Sequence, residues 1–232
     1  MNRAIALDDQ SYFLWKVRGG LRRWDDFAGR RLDLGEALKL SPNDLSITAL
    51  IGLLEFDSSN WAEAGRLFDQ ALDKLPKDFG VLSYRSMVAL KLGDLRTAKK
   101  YYDTALAVAS GPGDFSRICG YFATEGIALD WAISACNRAV AADPVSANYR
   151  IDRGLTKLRL GDLDGAIADY DQAIARNPDL AYAYYGRAIA QLRKGDRTAA
   201  ATGRERALAI EPMVDEAFVA HGLGELESGQ AR

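Results

Sequence analysis

Apolar residues recur three and four positions apart along most of the chain, which is the period of an amphipathic α-helix. Two neighbouring helical stretches show the pattern at Leu158, Leu160, Leu163, Ala166, Ile167, Tyr170, Ala173 and Ile174. Each stretch is about fourteen residues long and is followed by a turn. The pattern therefore predicts an all-α protein built from short antiparallel helices.

Several of the turns between paired helices carry a glycine followed by an aspartate, at Gly93-Asp94, Gly161-Asp162 and Gly195-Asp196. Glycine ends a helix readily in the left-handed conformation, and aspartate accepts hydrogen bonds from the first backbone N–H groups of the next helix. Each such turn therefore predicts a helix end that is directly followed by a helix start.

The helical pairs repeat every 34 residues. Proline occupies one position of this lattice at Pro42, Pro76, Pro144, Pro178 and Pro212, while the remaining slot is Ser110. Alanine stands five residues before every slot, at Ala37, Ala71, Ala105, Ala139, Ala173 and Ala207. Two more columns of small residues are Ala64, Ala98, Ala132, Ala166 and Ala200, and Gly52, Ser86, Gly120, Gly154, Ala188 and Gly222. Small residues on facing helices let backbones approach closely, so the lattice predicts helical hairpins that stack on their neighbours.

This pattern resembles the tetratricopeptide repeat, which has small, aromatic, alanine and proline positions in a unit of this length. One repeat matches it at Gly154, Ala166, Tyr170, Ala173 and Pro178, and another at Gly52, Ala64, Phe68, Ala71 and Pro76. The resemblance implies an all-α fold, a right-handed α-solenoid of about six helix-turn-helix repeats with a C-terminal capping helix.

The lattice divides the chain into repeats at residues 11–44, 45–78, 79–112, 113–146, 147–180 and 181–214. Residues 215–232 resemble the solvating helix that closes such arrays. Residues 1–10 parallel the end of a second helix at 137–144, one residue off the lattice, and are interpreted either as the remnant of an earlier repeat or as an N-terminal cap.

Two repeats depart from the pattern. Arg18 and Arg30 occupy small-residue positions in the first repeat, so we expect its helix pair to splay or pack differently. In the fourth repeat, residues 125–127 replace the Gly-Asp turn and Cys136 replaces the aromatic residue. The junction at 110–114 contains two glycines, which predicts a pivot between repeats 1 to 3 and repeats 4 to 6.

The resemblance also implies that the first helix of each repeat lines a concave face, where peptides or helices bind. The helical spacing places these side chains on that face: Trp15, Arg22, Leu53, Phe56, Met87, Leu90, Arg117, Tyr121, Leu155, Leu158, Tyr185, Ile189 and Leu192. The set is mostly apolar and lacks the Lys and Asn arrangement with which some family members grip a free carboxylate. We therefore expect a non-catalytic scaffold that binds a peptide or amphipathic helix, with Trp15, Tyr121 and Tyr185 as the main anchors. The alternative is that such side chains pack between adjacent first helices.

Two other functions stay open at this point. The repeats fit the recognition domain of a larger enzyme or signalling protein, and they also fit a self-associating array that forms a homo-oligomer. The sequence does not identify the protein or peptide partner, because a fold does not imply one function.

Cys119 and Cys136 are the only cysteines, and they fall on the two helices of the fourth repeat. They are expected to face each other, either as a disulfide, which indicates an oxidising compartment such as a periplasm, or as two buried thiols. With no neighbouring histidine they supply too few ligands for a metal ion. No metal or other cofactor is predicted.

Charged residues suggest internal pairing. Arg85, Arg153 and Arg187 recur at a position that is usually apolar, and Arg153 is predicted to pair with Asp169 on the facing helix. The first repeat holds a denser set that is expected to be largely self-neutralised: Lys16, Arg18, Arg22, Arg23, Asp25, Asp26, Arg30, Arg31 and Asp33. The alternative for that set is a patch for an acidic partner.

Composition excludes several functions. The net charge of −2 argues against nucleic-acid binding, and no apolar run approaches the roughly 20 residues needed to span a bilayer. Residues 1–9 become acidic too early for a signal peptide, so we expect a soluble protein of the cytoplasm or a periplasm. His221 is the single histidine and has no nucleophile or carboxylate arranged around it, and residues 222–224 lack the context of a phosphate-binding loop. We therefore predict that the chain is not an enzyme.

Overall fold

The computed structural model describes residues 2–23, 25–224 and 226, and the secondary structure of this part of the chain is entirely helical. Contacts between backbones divide the chain into two compact units, Met1–Ala109 and Ser110–Arg232. The division falls at the junction 110–114, where the sequence predicts a pivot. Motion at this junction stays a prediction.

Unit 1 consists of one short helix and three helical hairpins. Its helices are α1 (Asn2–Leu7), α2 (Tyr12–Leu21), α3 (Phe27–Leu40), α4 (Leu45–Asp57), α5 (Trp61–Leu72), α6 (Phe79–Lys91) and α7 (Leu95–Val108). The pairs α2 and α3, α4 and α5, and α6 and α7 form the hairpins, and each hairpin packs on the next along the chain.

Unit 2 consists of three hairpins and a closing helix. Its helices are α8 (Pro112–Glu125), α9 (Leu129–Ala142), α10 (Ala147–Leu160), α11 (Leu163–Arg176), α12 (Ala181–Arg193), α13 (Arg197–Ile210) and α14 (Val214–Ala220). The helix α14 contacts α12 and α13. Residues 225 and 227–232 of the predicted capping segment lie outside the described residues. Within the described part of the chain, no helix is long and apolar enough to cross a membrane.

The Gly-Asp turns adopt the predicted geometry. Gly93, Gly161 and Gly195 have φ angles of +78°, +83° and +91°, in the left-handed region. The carboxylates of Asp94, Asp162 and Asp196 accept backbone N–H groups of the following helices at 3.0 Å in each case. The predicted helix ends and starts are therefore confirmed at these three turns.

The columns of small residues lie where helices approach closely. Ala64, Ala98 and Ala166 are fully buried, as are the alanines of the other column. A β-carbon added to Gly154 would lie 2.9 Å from the Tyr170 ring, and one added to Gly186 would lie 2.4 Å from the same ring. Tyr170 therefore packs between its own repeat and the next, at a distance that only glycine permits on both sides.

The helix α2 is shifted by one residue relative to the lattice, whereas α3 keeps the lattice positions of Asp33 and Ala37. Gly19, and not Arg18, approaches the second helix, since a β-carbon on Gly19 would lie 3.0 Å from Leu34. Arg18 therefore does not occupy the small position that the lattice assigned to it. The shift places Arg18 in the same role as Arg153, as the next contacts show, and it accounts for the one-residue offset of residues 1–10.

Two arginines on first helices connect the second helix of their own repeat with the second helix of the preceding one. Arg153 donates to Asp169 at 2.6 and 2.9 Å and to Asn137 at 3.3 Å, which confirms the predicted pair with Asp169. Arg18 donates to Asp33 at 2.6 and 2.8 Å and to Asn2 at 3.1 Å. The helix α1 thus contacts α2 as α9 contacts α10, through an asparagine that precedes the arginine by 16 residues.

The other two recurring arginines pair with the preceding hairpin. Arg85 donates to Asp69 at 2.8 and 3.1 Å, and Arg187 donates to Asp171 at 2.5 Å. All four arginines of the series therefore take part in contacts between helices, which supports a structural role.

The charged set of the first repeat is neutralised only partly within that repeat. Asp33 pairs with both Arg18 and Arg22, and Arg23 pairs with Asp25 at 2.9 Å. Two other cations of the set reach carboxylates of the second repeat, Arg30 with Asp57 and Arg31 with Glu55, and Lys16 pairs with Asp44, the residue that caps the start of α4. The set therefore also helps to join the first two hairpins.

Candidate peptide-binding surface

The side chains predicted to line a binding face fall into two groups. Five of them are buried in the helical core, which contradicts their placement on an exposed binding face and agrees with the alternative that they pack inside the array: Met87, Leu158, Tyr185, Ile189 and Leu192. Tyr185 is the clearest correction, because its ring lies 4.6 Å from that of Phe218, between centroids, and none of its surface is exposed. The closing helix α14 supplies Phe218, so the end of the array covers this tyrosine.

The remaining predicted residues keep some exposed surface: Trp15, Arg22, Leu53, Phe56 and Leu90 in unit 1, and Arg117, Tyr121 and Leu155 in unit 2. The Trp15 side chain is held by contacts within unit 1. Its indole N–H donates to the carbonyl of Asp9 at 2.8 Å, and the guanidinium of Arg18 lies over its ring, 4.7 Å from the centroid. In unit 2, Tyr121 lies on α8 and Leu155 lies on α10. Both helices are the first helices of their repeats.

A pocket opens in unit 2 between α10 and the start of α12, and we call it the α10–α12 pocket. Its volume is about 350 Å³, and its lining residues are Asn148, Ile151, Asp152, Asp179, Leu180, Ala181, Tyr182 and Glu211. Ile151 and Asp152 lie about one turn before Leu155 on α10, and Leu155 keeps some exposed surface. It combines apolar side chains with three carboxylates.

Asp152 is the least exposed of these three carboxylates. It accepts a hydrogen bond from the Ser116 hydroxyl of α8. No lysine or arginine among the described residues pairs with Asp152. Burial raises the pKa of its carboxyl from 3.8 to about 6, although the hydrogen bond from Ser116 opposes the rise. An acid held in this way is typical of a functional site.

The raised pKa predicts how Asp152 affects stability. Between about pH 4 and pH 6 the folded protein holds a proton on Asp152 that the unfolded chain has lost. Relative to Asp152→Asn, the wild type should therefore gain about 2–3 kcal/mol of unfolding free energy as the pH falls through this range. Urea unfolding of both proteins at several pH values measures the difference. A difference that does not change with pH, or a wild type that loses stability relative to Asp152→Asn as the pH falls, would contradict the burial of this charge.

Cys119 and Cys136 lie at the interface of α8 and α9, and the structure joins them in a disulfide with their Cα atoms 5.1 Å apart. The Thr156 hydroxyl of α10 lies 3.2 Å from the sulfur of Cys136. Both cysteines are fully buried. The bond therefore joins α8 and α9 inside the core, and the Cys136 sulfur lies 3.9 Å from the backbone carbonyl oxygen of Asp152.

Sequence reasoning did not find the pocket. Of its lining residues, Asn148, Ile151, Asp152 and Tyr182 lie on first helices, but they lie outside the set of apolar positions that the helical spacing assigns to the binding face. A usable signal was Asp179 in the loop 177–180 together with Asp152, since the two carboxylates lie next to apolar residues on adjacent repeats.

Comparisons with known proteins agree with this architecture. Family models for the tetratricopeptide repeat match residues 85–147 and residues 154–195. No curated protein sequence matches the chain.

Solved structures share the fold at low sequence identity. Yeast Tom70 aligns with a TM-score of 0.68 at 18% identity, over 98% of this chain and 49% of that chain. A tetratricopeptide repeat protein from Parabacteroides merdae aligns with a TM-score of 0.61 at 17% identity, over 94% of this chain and 89% of that chain. The protein TTC0263 of Thermus thermophilus aligns with a TM-score of 0.56 at 23% identity, over 78% of this chain and 99% of that chain.

Proposed function

Because this chain is a tetratricopeptide repeat protein, we propose that it is a non-catalytic scaffold that binds a peptide or a helix of another protein on the side formed by its first helices. The observation that carries the proposal is the α10–α12 pocket, where apolar and polar side chains of two consecutive repeats meet. Pockets of this mixed character fix the orientation of a bound chain.

The partly exposed side chains beside the pocket extend the proposed surface. Leu155 follows Ile151 by one turn of α10, and Tyr121 lies at the equivalent position of α8. A bound peptide that crosses α8, α10 and α12 would bury these side chains in turn. Large rings such as Tyr121 contribute strongly when a partner covers them.

The test is binding of a peptide selected from a phage-displayed library of random sequences on the purified full chain. We expect Tyr121→Ala with Leu155→Ala to weaken binding of that peptide by about 2 kcal/mol or more, because both side chains would lie in the contact. The control is Val145→Ala with Leu160→Ala, which removes exposed apolar surface of unit 2 from side chains that do not line the pocket.

The comparison uses variants whose circular dichroism and thermal unfolding match the wild type. Undiminished binding by the first pair would contradict the proposed surface. An equal loss in the control pair would also contradict it, because the loss would then follow from removing exposed apolar side chains of unit 2 in general and not from the proposed surface.

A further inference from the structure

We infer that the α10–α12 pocket receives a basic side chain of the bound segment, a lysine or an arginine. This inference rests on the proposed function and names the chemistry of the partner at one point. The aliphatic stem of that side chain would lie on the apolar floor, and its cation would lie among the carboxylates of Asp152, Asp179 and Glu211.

The floor suits an aliphatic stem. Ile151, Leu180 and the ring of Tyr182 supply its apolar surface, and 43% of Tyr182 is exposed. Phe218 supports that ring from behind, with the two centroids 5.7 Å apart. Lysine and arginine bury their stems along such surfaces, and their cations are attracted to the face of a tyrosine ring.

The charge of the pocket selects the sign of the ligand. Three of its lining residues are acids and none is a lysine or arginine. The nearest compensating cation on these acids is Arg206, which reaches Asp179 only at 3.7 Å, and both side chains are largely exposed. Neither Asp152 nor Glu211 takes part in an ion pair within the described residues.

A purely apolar or an anionic ligand fits less well. An apolar side chain over Asp152 would remove water from a carboxylate without replacing its hydrogen bonds, which is unfavourable. An anion would meet three carboxylates. A cation, by contrast, can form charge-assisted hydrogen bonds to Asp152 and Glu211 while Ser116 continues to hold Asp152 in place.

The volume of the pocket limits the ligand to about one side chain. A volume of about 350 Å³ lies at the lower end of the range for small-molecule sites. Leu155, one turn after Ile151 on α10, keeps some exposed surface. A peptide that anchors a basic residue here would therefore continue across the neighbouring apolar surface, and we expect an apolar residue close to the basic one in its sequence.

The experiment is the same phage selection on the full chain, followed by binding measurements on synthetic versions of an enriched peptide. We expect a lysine or arginine at a fixed position of the enriched sequences. Replacing that residue by norleucine, which keeps the stem and removes the charge, should weaken binding to the wild type roughly tenfold, because it removes charge-assisted hydrogen bonds to the carboxylates. The same replacement should have little effect on binding to Asp152→Asn with Glu211→Gln.

A matched control removes two carboxylates elsewhere in unit 2. Asp130→Asn with Glu216→Gln changes the net charge as much as Asp152→Asn with Glu211→Gln does, but at exposed positions outside the pocket. In this variant the norleucine replacement should still weaken binding of the peptide roughly tenfold. If the double variant unfolds, the single variant Glu211→Gln, which changes an exposed position, replaces it in the test. In this variant the effect of the norleucine replacement should be smaller than in the wild type.

The outcomes separate the two proposals. Enriched peptides without a fixed basic residue, or with a basic residue whose effect survives in Asp152→Asn with Glu211→Gln, overturn the pocket assignment and leave the scaffold standing. Loss of the effect in the control variant also overturns it, because long-range charge alone would then explain the preference. Failure of the wild type to enrich any peptide overturns both proposals.

Discussion

Replacing Asp169 by asparagine is expected to lower the free energy of unfolding of unit 2 by about 3–5 kcal/mol. Its carboxylate is 2% exposed and pairs with Arg153 at 2.6 Å, Lys157 at 2.8 Å and Arg150 at 3.7 Å. Asparagine keeps the shape of the side chain but removes the charge. Three partly buried cations would then face one another without a counter-charge. Removing one partner of a buried ion pair lowers the free energy of unfolding strongly, because the remaining buried charge is uncompensated.

The matched control lies two residues further along α11. Asp171 pairs with Arg187, but its side chain is 52% exposed, so Asp171→Asn should cost less than about 1 kcal/mol. Urea unfolding followed by circular dichroism compares both variants with the wild type. Equal losses for the two variants would show that burial of Asp169 does not set the strength of this cluster.

Removing the bond between Cys119 and Cys136 is expected to destabilise unit 2 by about 3 kcal/mol, because the bond closes a loop of 17 residues in the unfolded chain. The measurement compares unfolding of the oxidised protein with and without a thiol reductant. Hydrogen exchange should show faster opening of α8 and α9 after reduction, while the amides of α2 to α7 should keep their protection.

The control for the reductant is the variant Cys119→Ala with Cys136→Ala. Its stability should resemble that of the reduced wild type and should not respond to reductant. A thiol titration of the unfolded, unreduced protein is the decisive check. Two reactive thiols in protein prepared under oxidising conditions would contradict the disulfide, as would a stability unchanged by reduction.

Much of the fold could be predicted from the sequence because each repeat makes the same packing contacts. Alanine at one position and glycine-aspartate at the turn have a local physical reason, so their recurrence was sufficient to predict helices, turns and close contacts. The pair of Arg153 with Asp169 was predictable for the same reason, since a charged residue at a buried position requires a partner on the facing helix.

The binding surface was less predictable, because a first helix contacts first helices on both sides and shows solvent only a narrow strip. Tyr185 and Ile189 have the spacing of surface anchors, but α14 and its Phe218 cover that end of the array. The shift at Gly19 was not predictable from a strict lattice for the same reason. Arg18 precedes its partner Asp33 by 15 residues, whereas Arg153 precedes Asp169 by 16, so Arg18 lies one residue away from its apparent slot. Such details depend on contacts between elements, which periodicity does not contain.

We propose above all that the first helices of unit 2 carry the binding site for a peptide. NMR chemical shifts of the backbone amides of the isotope-labelled protein test this most directly. On titration with the selected peptide, we predict changes at Asn148, Asp152, Leu155 and Tyr182, with further changes at Tyr121 of α8. Shifts confined to the exposed sides of α9, α11 and α13, with these residues unchanged, would contradict the claim.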